Sequence, residues 1–332
     1  MRSGLLVSGR RGGSGRVVGM LHLRVVCPVD ATDEVLAVLK AHPGVTHVAL
    51  FPGAAIEPAG DVVAADLARE ATDEVLSALC GLGIDHTGGV TLEQIDTALS
   101  DAADRAEEAA PGEAADAVVW EELLSRTGEE SRLNATFLAF LTIACLLAAV
   151  GVVTNSPVTI VGAMVVGPEF GPLAAIAVGI VLRRWDLVRR AGLALAVGFP
   201  LAMLVTFGGA VLGSYSGLFD RTMVLSAHQV DFVFQVGPFS LIVALLAGAA
   251  GMLSMTSAKS AALVGVFISV TTVPAAGYAA IAAVLGEWAI CGMSVLQLVV
   301  NLVGIVVAAA VVLALRNRRS RTRDLGRPLS NG

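Results

Sequence analysis

The sequence predicts two parts: a small α+β ferredoxin-like domain, then an α-helical polytopic membrane domain of six segments, a 3+3 inverted repeat with two broken helices. Three observations predict it. Charge divides the chain, because residues 1–131 carry nine Lys/Arg against 22 Asp/Glu (net −13), whereas residues 132–332 carry 13 against six (net +7). The whole is 55% hydrophobic and only 15% charged, with a mean hydropathy of +0.78, too apolar for an ordinary soluble enzyme. Beyond residue 132, finally, six apolar runs are long enough to cross a bilayer.

Residues 1–19, with Gly9–Arg16 reading GRRGGSGR, are expected to be a disordered tail, and Met20 stands as an alternative start. The tail holds no apolar run of signal-peptide length. Its glycines precede a strand pattern instead of opening a helix, which argues against a phosphate-binding loop.

The ferredoxin-like cytoplasmic domain is placed at residues 20–91. His22–Pro28, the pair Val45–Phe51 and Asp61–Ala68, and Ile84–Val90 read as strands; Thr32–Ala41 and Thr72–Leu82 read as helices. ATDEVL occurs at Ala31–Leu36 and again at Ala71–Leu76, each time opening a helix after a strand. A βαββαβ order with duplicated halves suits the ferredoxin-like fold. His22, His42, His47 and His86 lack metal-ligand spacing, and the four cysteines form no CxxC pair, so neither metal nor cofactor is expected. The acidic half argues against a nucleic-acid polymer as partner.

Residues 92–132 read as an acidic helical linker interrupted at Pro111-Gly112. Its second half, Ala114–Arg126, carries Val118, Val119, Leu123 and Leu124 at helical spacing. That stripe is expected to dock on the membrane surface, the soluble domain or another subunit.

The membrane domain is placed at residues 133–315 and a basic cytoplasmic tail at 316–332. The segments are Thr136–Val153, Val158–Leu182, Ala191–Leu212, Phe239–Met255, Ala261–Leu285 and Met293–Leu315. Starting the first in the cytoplasm puts Arg132, Arg183, Arg184, Arg189, Arg190, Lys259 and the tail arginines on that side and leaves only Arg221 opposite. The positive-inside rule therefore predicts a multi-pass protein of the cell (plasma, or inner) membrane with both termini cytoplasmic.

At an offset of 103 residues, Val161–Trp185 (VGAMVVGPEFGPLAAIAVGIVLRRW) aligns with Val264–Trp288 (VGVFISVTTVPAAGYAAIAAVLGEW). Each copy is the second segment of three, and each carries a proline-containing break. An odd number of segments per unit makes the second run in the opposite sense, and broken helices at matching positions point to a transporter-type site. Close packing of Gly- and Pro-rich helices is the plainer explanation.

NSPVTIVGAMVVGPEFGPLAAI, the later GVFISVTTVPAAGYAAIAAVLG and Asn301 together resemble the domain of unknown function 389 family of prokaryotic hydrophobic membrane proteins, over about Leu133–Val312. The resemblance implies the membrane fold and suits an amino-terminal ferredoxin-like domain, but implies no substrate. The chain departs from the family pattern in having Gly167-Pro168-Glu169-Phe170 where a Ser-Pro-Leu-Met type sequence is common, and Pro274-Ala275 where a double proline is common.

The candidate site therefore comprises Gly167, Pro168, Glu169 and Pro172 of the first break, Thr271, Thr272 and Pro274 of the second, and Asn155, Ser156 and Asn301. Glu169 suits a cation, a proton or an amine. The neutral residues, Gln297 included, suit the hydrogen bonds of a polar solute or those between helices. No nucleophile–base or metal motif lies in this half, so no enzyme is expected. The leading expectation is a transporter or channel-like protein for a small polar or charged solute, regulated by the cytoplasmic domain. The alternative is a ligand-sensing membrane scaffold whose ferredoxin-like domain binds a metabolite or nucleotide. Both expect a lipid bilayer around the helices and a homo-oligomer.

Overall fold

A computed structural model describes residues 20–95, 100–110, 119–225, 237–256 and 272–325. The expected tail 1–19, Pro111-Gly112, His228, Asp231, Lys259, Thr271 and the first part of the fifth segment lie outside the described residues. The chain divides into two units, Met1–Val119 and Trp120–Gly332.

The first unit runs β1 (Met20–Cys27), α1 (Thr32–Ala41), β2 (Val45–Ile56), β3 (Ala59–Ala68), α2 (Thr72–Gly81), α3 (Ile84–Thr87), β4 (Gly89–Gln94) and α4 (Asp101–Ala109). The sheet is antiparallel in the order β2-β3-β1-β4. Alternate residues of β1 and β3, Leu23, Val25, Val63, Ala65 and Leu67, point into a core closed by Val35 and Leu39 of α1 and Val75 and Leu79 of α2. One expectation needs correcting. Ile84–Val90 is not a strand throughout: Gly83, at φ +73°, restarts the chain as the short α3, and the last strand begins at Gly89. Ile84 is buried under that turn, which produced the apolar signal.

Asp61 ties this unit together. Its carboxylate accepts the Gly53 N–H at 2.8 Å and the Thr32 hydroxyl at 2.7 Å. The Gly53 N–H, then the Thr32 hydroxyl, hold its pKa below the ordinary carboxylate value, against the opposing effect of burial. Stability from the ionised form is complete above the ordinary carboxylate value of about 4 and disappears as pH falls through the lower folded value. Thermal unfolding of residues 20–110 should therefore weaken steeply below about pH 4, and less so in Asp61→Asn. Equal slopes in the two proteins would refute this role.

The second unit is helical: α5 (Trp120–Glu130), α6 (Ala135–Val153), α7 (Pro157–Val166), α8 (Phe170–Val181), α9 (Trp185–Tyr215), α10 (Arg221–Leu225), α11 (Pro238–Met255), α12 (Thr272–Val284) and α13 (Trp288–Leu325). Helices α6, α9, α11 and residues 288–317 of α13 are each long and apolar enough to cross a membrane. The α7–α8 pair, bent by 53° at its break, makes a fifth span if counted as one, and α12 is shorter. These helices bury alanines and glycines inward while Leu204, Leu246 and Val303 remain more than half exposed. An apolar surface of that extent suits contact with lipid. Helices α6 and α11 begin at Ala135 and Pro238, and α9 and α13 at Trp185 and Trp288, each pair 103 residues apart.

The turns after α8 and α12 also match. Arg183 (φ +58°) and Gly286 (φ +74°) both take the left-handed conformation. Arg184 N–H then returns to Gly179 C=O at 2.8 Å, and Glu287 N–H to Ala282 C=O at 2.9 Å. This is the helix-terminating arrangement that glycine adopts without strain and arginine adopts at a cost.

Candidate functional site

Two prolines divide the second span. Pro168 lacks an N–H and disfavours helical backbone at Gly167, which is extended (φ −63°, ψ 124°), so α7 stops at Val166. Pro172 lies in the first turn of α8, where its missing donor would have no intrahelical partner. Between them Glu169 stands at the amino end of α8, 1% exposed. The partial positive charge of that helix end favours a carboxylate.

Thr272 Oγ1, at the start of the described part of α12, donates to Glu169 Oε1 at 2.5 Å. The two residues are 103 apart, the offset at which the helices above repeat. Cys145, Ala148, Leu173, Val273 and Ala276 belong to one buried apolar cluster of this unit, with Phe170 packed against it.

The other expected residues lie in different places. Asn155 (φ +49°) and Ser156 make the α6–α7 turn, separated from Gly167 by the whole of α7, about 15 Å of helix. Ser156 Oγ caps α7 by accepting the Thr159 N–H at 3.3 Å, a structural task. Pro274 is buried in the first turn of the described part of α12, and the break expected before it involves residues outside the described ones. Asn301 Oδ1, buried on α13, accepts the Ser240 hydroxyl of α11 at 3.1 Å.

A cleft of about 410 Å³ opens beside the break. It is lined by Gly167, Pro168, Phe170 and Gly171, by Phe137 and Phe140 of α6, by Ser254 and Met255 of α11, and by Arg126, Glu130 and Arg132 at the end of α5. Helix α5, which holds Leu123 and Leu124 of the linker's apolar stripe, packs on α8 within the same unit. A Cβ on Gly171 would stand 2.7 Å from Glu130 Cβ, so glycine is what admits α5 so closely.

Residues 164–307 match the family model described as Domain of unknown function (DUF389). Over this stretch the chain is similar to the DUF389 family. The match runs from the end of α7 into α13 and so includes the break, Glu169, Thr272 and Asn301, in agreement with the resemblance read from these motifs. An uncharacterized protein of Methanocaldococcus jannaschii is 24% identical to the chain over 158 residues, 47% of each. The chain thus spans about half the length of this curated relative. No solved structure matches the chain.

Two polar networks were invisible to sequence reading. Asp66 accepts from His22 Nδ1 and His47 Nδ1, both at 2.7 Å, and His47 Nε2 meets Ser100 Oγ, the cap of α4, at 2.9 Å. His47 holds φ +51° at a bulge of β2 to do so. In the second unit, Gln297 Nε2 donates to Ser240 Oγ, whose hydroxyl in turn donates to Asn301 Oδ1.

Proposed function

We propose that this protein is a membrane transporter or channel-like protein for a small polar or charged solute, with its site where Glu169 meets Thr272. The observation that carries the reading is the Thr272–Glu169 hydrogen bond. Two residues one repeat offset apart can touch only where both lie on the axis relating the repeats. The pairs α6/α11 and α9/α13, which start 103 residues apart, and the matching turns after α8 and α12 support a 3+3 repeat about that axis. A carboxylate at the meeting point of two such units, inside an apolar helical unit, is costly without a task.

Contacts between helix ends support the sidedness. Arg221 pairs with Glu287, and both belong to the outer side in this topology. Arg316 donates to the Thr256 carbonyl at 3.3 Å, and both belong to the cytoplasmic side. The basic residues at the Arg132, Arg183 and Arg316 ends then favour a plasma-membrane protein with both termini cytoplasmic. The ferredoxin-like domain regulates the site along the chain through α4 and α5, since α5 lies against the break. Close-packed Gly/Ala faces suit a homo-oligomer.

The test is solute flux into proteoliposomes, followed by light scattering as they swell in iso-osmotic ammonium, sodium or potassium chloride, glycine or glycerol. An ionophore collapses any potential. The full chain should accelerate at least one solute over protein-free vesicles, and Glu169→Gln should slow that solute by about tenfold or more, as expected for loss of one charged hydrogen bond. No acceleration for any solute, or an unchanged rate in Glu169→Gln, would reject the reading.

A further inference from the structure

We propose that the Ser294–Gln297 face of α13 is a binding position for a small monovalent cation, an alkali ion or ammonium. This deepens the transport reading by assigning the sign of the charge handled, but binding itself does not require flux.

The position is built from buried acceptors. Ser294, Gln297 and Asn301 are 0%, 1% and 0% exposed and share one face of α13, at spacings of three and four residues. Gln297 Nε2 donates to Ser240 Oγ, and the Ser240 proton is committed to Asn301 Oδ1. Gln297 Oε1 is therefore turned away, and neither it nor Ser294 Oγ has a hydrogen-bond partner among the described residues. Buried polar atoms are rarely left so.

Packing alone does not require this cluster. One repeat offset earlier, Ala191, Ala194 and Gly198 stand where Ser294, Gln297 and Asn301 do, and Phe137 stands for Ser240. Phe137 fills the space above Gly198, where a Cβ would be only 2.8 Å from its ring. The first helix pair makes the contact with apolar groups, so the second pair's polar groups serve something else.

The chemistry of the interior selects a cation. The buried hydroxyls of Thr206 and Thr256 return to carbonyls of their own helices. The hydroxyls of Thr127 and Ser131 do the same, and the other buried polar groups include Glu169 with Thr272, the Asn155 amide oxygen, the Tyr278 hydroxyl and the Ser294, Gln297 and Asn301 side chains, oxygen-bearing for the most part. Among the described residues of this unit, no Lys, Arg or His side chain is buried. An anion would find no buried positive partner. A divalent ion would find no carboxylate in the α13 cluster, and such ions are held by carboxylates. A monovalent cation needs only neutral oxygens.

The test is thermal unfolding of the full chain in detergent, in lithium, sodium, potassium or ammonium chloride, against N-methylglucamine chloride at equal ionic strength. At least one small cation should raise Tm saturably, and Ser294→Ala/Gln297→Met should weaken its apparent affinity by about tenfold or more. In N-methylglucamine Ser294→Ala alone should melt no lower than the parent, since it loses only an unpartnered hydroxyl. A lower melting point there would show helix–helix adhesion instead and overturn the proposal. So would the absence of any cation effect, or an effect unchanged in the double variant. Failure with flux of a neutral solute intact leaves the transport reading standing; flux absent with cation binding intact does the reverse.

Discussion

Gly248→Val is expected to give no folded membrane unit. A Cβ at Gly248 of α11 would lie 2.4 Å from the Ile305 carbonyl oxygen of α13 and 2.8 Å from its Cα. Both are backbone atoms, so no side-chain rotation relieves the clash, and the helices must separate along their length. Gly277→Val is expected to act alike on the α12–α6 crossing, where a Cβ would be 2.8 Å from Ala148 Cβ and 2.9 Å from the Cys145 carbonyl oxygen. Overpacking a close crossing costs about 1–3 kcal/mol and occasionally more. Valine adds three carbons against unyielding backbone, and the total stability of a fold is only about 5–15 kcal/mol.

Gly162 and Gly208 supply the controls. Among the described residues, no atom beyond the neighbouring backbone of the same helix stands within 4 Å of a Cβ at either position. Gly162→Val and Gly208→Val should therefore elute from a sizing column in detergent as the parent does, whereas Gly248→Val and Gly277→Val should aggregate or fail to accumulate. If either of the latter gave monodisperse protein melting near the parent, the helix crossings described here would be wrong. Gly277 matters beyond stability, because α12 carries Thr272 to Glu169.

How far the sequence could be read depends on what each signal measures. Apolar length located α6 and α11 to within a residue, since their ends coincide with their apolar runs. It began α9 at Ala191, whereas the helix starts at Trp185, because Arg189 and Arg190 are helical but charged. Hydropathy marks solvent preference, not hydrogen bonding. The α7–α8 break was legible because Pro168 acts on its own backbone. The last strand was misplaced because one glycine at positive φ converted an apolar stretch into a helical turn.

The candidate site was half legible. Glu169 stands out as a charge in apolar text, and the 103-residue offset set the stretch around Thr271–Pro274 against the first break without pairing single residues. The Gln297–Ser240 bond joins residues 57 apart, and the His47–Ser100 bond residues 53 apart, with no local pattern at either end. Only the assembled helices and sheet bring them together. Asn155 and Ser156 were grouped with the break by their polarity, although Ser156 is occupied with capping α7.

The central claim, that the Glu169–Thr272 meeting point lies on a path for solute, is tested most directly by thiol labelling at Thr272. The parent would carry alanine at Cys27, Cys80, Cys145 and Cys291, with Thr272→Cys as its single thiol. Right-side-out and inside-out vesicles would be exposed to a membrane-impermeant methanethiosulfonate reagent. Thr272 is 0% exposed, so a static scaffold offers the reagent no route. A transporter that opens to each side in turn predicts labelling in both vesicle orientations, slowed by the transported solute. A thiol at position 272 that stays unlabelled from both sides, in protein shown to be folded, would contradict the account.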